Sequence, residues 1–264
     1  MLKTKDIICW WSGGVTSAVA CKKAVDIYGK DRCLFLFIDT KNEDDDTYRF
    51  KKDCEKWYGL EIGVLTLIGV RYSSIQDVWL KHKSLNVAKG AVCSSELKRR
   101  VREDWEKHNE WEHQVFGFDS SEHGRALSMK LNHAHTKPVF PLLYEMISKK
   151  ECFDFLIESG IDPPITYKYG FLNNNCFKTG CVQGGIGYWQ KMKREFPYKF
   201  DKMAEMEHQI TNMKGSPVTM LKDQSDDAKA SGNQLLFLKP HPDYPNIKDV
   251  SMMKGREPKP LIGS

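Results

Sequence analysis

The sequence predicts an α/β fold in which an open, mostly parallel sheet carries helices on both faces and a helical C-terminal part follows. Apolar runs at residues 6–11, 33–39, 61–69 and 113–119 alternate with stretches that read as helices. The second run is apolar almost throughout, which suits a strand buried on both faces of a parallel sheet.

The first strand is "DIICWW" at 6–11, and after a glycine pair "TSAVACKKAVDIYG" spaces Ala18, Cys21, Ala24 and Val25 on one helical face. Gly29 stops that helix. "CLFLFID" ends at Asp39, and "DDDTYRFKKDCEKWYGL" opens with acids that suit a helix N-terminus and closes on a glycine. "EIGVLTLIG" and "HQVFGFD" supply the third and fourth strands. Beyond them, "PLLYEMISKKECFDFLIESG" reads as one amphipathic helix ending at Gly160, and Pro163 and Pro164 keep the helix from resuming directly. Cys176 and Cys181 fall in a loop rich in Asn and Gly, and two helical stretches after it are separated by Pro197. From Lys214 the composition turns to Gly, Pro, Ser and charge, which predicts an extended tail with mobile parts. The expected organisation is an α/β core over 1–145, a helical, cysteine-bearing part of the same domain over 146–213, and a C-terminal extension over 214–264. No internal repeat is visible.

Hydrophobic residues at 41% and charged residues at 28% of 264 describe an ordinary soluble globular protein. No apolar run is long enough for a membrane span, and the N-terminus lacks the pattern of a secretory signal, so a cytoplasmic location is expected. With 40 Lys+Arg against 35 Asp+Glu, the net charge of +5 admits an anionic ligand or nucleic acid without requiring either. Eight cysteines in such a chain point to reduced thiols or metal ligation rather than a disulfide framework.

The stretch "SGGVTS" at 12–17 lies between a strand and a helix. Its glycines allow a sharp turn with N–H groups converging on one spot, and the helix dipole favours an anion there. Ser12, Thr16 and Ser17 add hydroxyl donors. The plainer reading is a turn that binds nothing. The stretch is neither a Walker loop nor a Gly-x-Gly-x-x-Gly fingerprint. Asp39, at the end of the neighbouring strand, sits where open α/β sheets bind ligands.

Together with "FIDT", Thr47 and Tyr48, "CSSELKR" at 93–99, "GFDSSEHGR" at 117–125, "PLLY" at 141–144 and the Cys176/Cys181 loop, the chain resembles the PP-loop ATP pyrophosphatase superfamily, in its phosphoadenosine-phosphosulfate reductase-like branch. The resemblance spans roughly residues 6–185 and implies an adenine nucleotide alpha hydrolase-like fold. It also implies a nucleotide site formed by Ser12, Gly13, Gly14, Thr16, Ser17, Asp39 and Thr40, with Lys98 and Arg125 facing the nucleotide anions as catalytic residues. The alternatives are a solvated base for Lys98, an ion pair with Glu122 or Asp119 for Arg125, and a turn cap for Asp39.

Two departures stand out. Val15 and Thr16 occupy the places where the family often has Lys and Asp, and no cysteine follows Cys181, so the thiol that sulfonucleotide reductases use is missing. The expectation is therefore an ATP-dependent adenylating sulfur transferase that cleaves ATP to AMP and pyrophosphate with Mg²⁺. A phosphoadenosine-phosphosulfate reductase-like oxidoreductase and an inactive nucleotide-binding protein are the rivals. Cys9, Cys21, Cys33, Cys54 and Cys152 read as buried packing residues. Cys93, Cys176 and Cys181 are the candidate metal ligands, resembling the three-cysteine [4Fe-4S] arrangement of sulfur-inserting enzymes of tRNA or DNA. Zinc, with His123 as the first histidine to consider as fourth ligand, and free thiols are the other readings. A sulfur donor protein, a nucleic-acid or small-molecule acceptor and a homo-oligomer are all compatible with this reading. Trp189, Met192, Phe196, Phe200 and Met203 read as core rather than as a base-stacking platform.

Overall fold

The computed structural model describes residues 5–87, 90–174 and 176–255. Strand β1 (Ile7–Trp10) leads into α1 (Val15–Tyr28), β2 (Cys33–Ile38), α2 (Asp45–Tyr58) and β3 (Ile62–Leu65). Then come α3 (Ile75–His82) and a small hairpin of β4 (Asn86–Val87) and β5 (Gly90–Ala91). A helical run comes next, made of α4 (Val92–Ser94), a π turn at Ser95–Arg99 and α5 (Arg100–Glu106). Strand β6 (His113–Val115), α6 (His123–Asn132) and β7 (Pro138–Val139) complete the main sheet, whose order is β3-β2-β1-β6-β7. Every pairing in it is parallel.

Side-chain alternation divides the sheet into two buried faces. Ile7 and Cys9 with Cys33, Phe35 and Phe37 pack beneath Val15, Ala18 and Cys21 of α1. Ile8, Trp10 and Leu36 point the other way, under Trp105 and Trp111. The expected α/β class with helices on both faces is therefore the observed one. Helix α2 is bounded as its sequence requires: Asp44 accepts from the Asp46 N–H at the start, and Gly59 adopts the left-handed conformation at the end.

The single helix expected over 141–160 is two, α7 (Pro141–Tyr144) and α8 (Lys149–Glu158). Met146 turns into positive φ, and Ser148 starts the second helix with a full capping box to Glu151. After α9 (Ile165–Lys168) come α10 (Ile186–Glu195) and α11 (Pro197–Lys214), which Pro197 begins.

The region after Lys214, expected to be extended, instead folds back as β8 (Leu221–Lys222), α12 (Asp226–Ser231) and β9 (Leu235–Leu236). Leu236 and Leu238 are fully buried in a second core. Glu207 of α11 accepts from the Met220 and Leu238 N–H groups at 2.8 and 2.7 Å, so one carboxyl group clasps both halves of this segment. Residues 256–264 of the expected tail lie outside the described residues. The second core joins residues from Tyr72 to Leu97 with residues from Phe171 to Val250, across the boundary expected at 145. Trp189, Met192, Phe200 and Met203 belong to it, and Phe196 packs against it. Among the described residues no helix is long and apolar enough to cross a membrane.

Candidate functional site

The glycine loop runs from the carboxyl end of β1 to α1, whose N-cap is Gly14. Gly13 has φ +85, which favours glycine, and a Cβ there would meet the Thr47 methyl at 3.0 Å. The Gly13 carbonyl accepts from Asn174 Nδ2 at 2.8 Å. Ser17 is turned inward: its hydroxyl donates to the Gly14 carbonyl at 2.9 Å and accepts from the Ser12 hydroxyl and N–H at 3.0 and 3.1 Å. It closes the loop, while Ser12 remains exposed. Gly117 explains the tight join of loop and sheet, because a Cβ there would lie 2.5 Å from Ser17 Cα.

A cavity of about 630 Å³ opens beside this loop. Its walls include Ser12 just after β1, Ile38 at the end of β2, and Phe116 and Phe118 just after β6. It thus occupies the crevice outside the carboxyl ends of the strands, where the chain order reverses between β1 and β6. Lys98, Arg99, Arg102 and Arg125 bring positive charge to it. Arg125 pairs with Glu122 and lies 4.5 Å over the Phe118 ring, so the ion-pair alternative is realised at the cavity wall. Arg102 Nε stands 3.4 Å from Glu106.

A second cavity, of about 60 Å³, contains Cys93, Cys176, Cys181, Thr40, Ser94 and Lys98 in its wall. Ser94 and Lys98 are common to both cavities. Lys98 lies in the π turn, a local widening of the helix often found at functional sites. Burial alone would lower the Lys98 pKa, but the negative charge of Glu43, and of the three cysteines where they are thiolates, outweighs it and the net direction is up. Burial raises the Glu43 pKa, against the pull of Lys98 and Thr40.

Burial pushes the Cys176 thiol up to about 12 and also raises Cys93 and Cys181. The three thiols are therefore protonated at neutral pH, and any metal must displace those protons. As the side chains stand, the described residues contain no group of three His, Cys, Asp or Glu that could hold a metal ion. The donor chemistry nevertheless fits a soft metal group, since among the described residues three thiols and no carboxylate or imidazole line the cavity. His123 lies exposed at the start of α6 and lines neither cavity, so the zinc site with this histidine is not assembled.

Of the residues expected at the nucleotide, Ser12, Lys98 and Arg125 line the larger cavity, Gly13 and Gly14 form the loop beside it, and Thr16 and Ser17 stand in the first turn of α1. Asp39 is drawn away: its buried carboxylate accepts from the Lys41 N–H at 2.7 Å and the Tyr48 hydroxyl at 3.1 Å and pairs with Lys41 Nζ at 2.9 Å. The turn-cap alternative describes it. Thr40 faces the cysteines, with its hydroxyl 3.0 Å from Glu43 and 3.6 Å from Cys176 Sγ. Cys9, Cys21, Cys33, Cys54 and Cys152 are buried, as expected.

Arg102, Glu43 and Asn174 take positions at the site that their sequence context did not reveal. The i,i+4 spacing of Lys98 and Arg102 was a usable signal, whereas Glu43 stands in an acid-rich stretch that looks solvated. No protein-family model and no curated protein matches the chain.

Proposed function

We propose that this chain is an ATP-dependent adenylating sulfur transferase. The observation that carries the reading is the cavity of about 630 Å³ at the sheet's switch point, with Ser12 of the glycine loop on one wall and Lys98, Arg99, Arg102 and Arg125 on others. Its size suits a nucleotide, and four cations suit a triphosphate. ATP enters as its Mg²⁺ complex. An oxygen of the acceptor, a nucleic acid or a small molecule, attacks the α-phosphorus, and the bond to the β-phosphate oxygen breaks to release pyrophosphate. A sulfur nucleophile then replaces the adenylated oxygen, and AMP leaves with it.

The chain's own contribution is alignment and charge neutralisation. Arg125 and Lys98 hold phosphate oxygens, and Ser12 donates from the loop. Lys98, reaching both cavities, keeps positive charge where sulfur and adenylate must meet. Cys93, Cys176 and Cys181 would hold a [4Fe-4S] cluster or another soft metal group, which supplies a binding place for sulfide.

The test is formation of AMP and pyrophosphate from ATP by the anaerobically purified protein, with candidate acceptors and sulfide, alongside iron and zinc analysis. AMP formation lost in Ser12→Ala and Lys98→Met supports the proposal. Tight ATP binding without turnover on any acceptor points to the inactive reading, and sulfite release from phosphoadenosine phosphosulfate points to the reductase.

A further inference from the structure

We infer that the cysteine cavity has a second entrance, past Gln183, from a vestibule that admits a small sulfur anion of the size of hydrosulfide or thiosulfate. The sulfur identity rests on the proposed function; the entrance rests on geometry. The vestibule has a volume of about 320 Å³, and its lining combines the polar Gln183, Lys222 and Gln224 with the apolar Ile186, Met220 and Leu221. It shares no lining residue with the nucleotide-sized cavity. Gln183 is the one residue common to the vestibule and the cysteine cavity.

Gln183 is built to yield. Its side chain is exposed and makes no hydrogen bond among the described residues, and it lies against Gly90, where a Cβ would be 3.8 Å from Gln183 Nε2. Among the described residues, Gln183 is thus the side chain at which the two cavities meet, and its amide is unanchored. On the opposite side the partition is Ser94 and Lys98, which a bound nucleotide would cover. A second entrance allows sulfur to reach the thiols while the large cavity is occupied.

The vestibule's chemistry fits a small anion. Gln183 and Gln224 offer neutral amide donors and Lys222 an ammonium, while the Thr219 hydroxyl and the Asn86 amide donate to the Leu221 and Met220 carbonyls; among the described residues no carboxylate lines it. A negative ligand thus meets donors and one positive charge without like-charge repulsion.

The experiment measures the rate at which iodoacetamide labels the buried Cys93, resolved by peptide mass spectrometry, in the intact protein and in Gln183→Trp, Ser94→Trp and the double variant. Two entrances predict that each single variant labels more slowly than the parent but keeps a residual rate, that the two residual rates add up to the parent's, and that the double variant is nearly completely protected. Parent-rate labelling in a folded Gln183→Trp, or full protection by Ser94→Trp alone, overturns the proposal. Thr219→Trp, which narrows the same mouth, serves if Gln183→Trp does not fold. Binding of radiolabelled thiosulfate, with pyrophosphate added to fill the large basic cavity, should weaken at least tenfold in Lys222→Glu, and unchanged binding overturns the anion assignment. None of these readouts needs turnover, so failure to form AMP would remove the proposed function and leave the entrance tested on its own.

Discussion

The side-chain amide of Asn174 donates to the Gly13 carbonyl at 2.8 Å and to the Thr47 hydroxyl at 3.0 Å, while its oxygen accepts from Thr166 at 2.9 Å. Asn174 is buried and stands two residues before Cys176. The loop that carries the cysteines is thus bonded directly to the loop that faces the large cavity. Movement on one side of this bond is felt on the other, since a buried carbonyl that loses its donor has no water to replace it.

Asn174→Leu keeps the volume and removes both donors and the acceptor. Gly13, Thr47 and Thr166 each lose a buried partner, and the expected loss of stability is about 1–3 kcal/mol. Urea unfolding measures it. On the proposed function, ATP affinity measured by equilibrium dialysis falls as well, because the loop backbone is no longer pinned. Parent stability in this variant would show that the bond contributes nothing.

Gly117→Ala is expected to be far worse than Gly124→Ala. The first places a methyl 2.5 Å from Ser17 Cα and 2.6 Å from Ser17 N, which are backbone atoms that cannot swing aside. Overpacking of this kind costs about 1–3 kcal/mol or more. At Gly124, inside α6, a methyl meets nothing within 4 Å, and alanine should stabilise by about 0.5–1 kcal/mol. Thermal unfolding of the two variants side by side decides the matter, and equal midpoints would refute the close-packed join.

The parts of the fold that were legible in the sequence are those where local pattern and tertiary demand agree. β1 and β2 are continuous apolar runs because the sheet buries both faces, and α2 announces its ends through Asp44 and Gly59. The split between α7 and α8 was hidden by apolar residues that continue across it, although Ser148 and Glu151 carry the capping-box signal. The clasp at Glu207 was illegible for a different reason. A lone acid on a helix reads as solvated, and only the returning chain at Met220 and Leu238 gives it partners. At the site, strand-end position gives where Asp39 and Thr40 stand, but not the direction they face. Lys41 and Tyr48 turn Asp39 into a structural cap, and Thr40 points to the cysteines.

Lys98→Met tests the residue that reaches both cavities. With the ammonium gone, charge developing on the phosphates loses a donor placed in a partly buried wall, and kcat for AMP formation should fall by about 10²-fold. Glu43 also loses the cation whose field lowers its pKa, so its carboxyl becomes more readily protonated. Circular dichroism and the unfolding midpoint should stay near those of the parent. A variant with full activity would remove Lys98 from the machinery.

Glu207 sets a pH dependence of stability. Burial raises its pKa to about 8, and the N–H groups of Leu238 and Met220 offset this only in part, with no cation among its hydrogen-bond partners. Between its ordinary value of 4.5 and about 8, the folded chain holds a proton that the unfolded chain has released. Stability contributed by this group is therefore fully present below the unfolded pKa, declines as pH rises through that window, and levels off above it. The slope approaches about 1.4 kcal/mol per pH unit at most. Glu207→Gln cannot titrate, so its stability should lack this decline, although its amide leaves one of the two N–H groups facing a donor and lowers stability at acid pH. Urea unfolding of both proteins from pH 5 to 9 measures the difference, and a gap that does not narrow with rising pH would show that the carboxylate is already charged in the folded state.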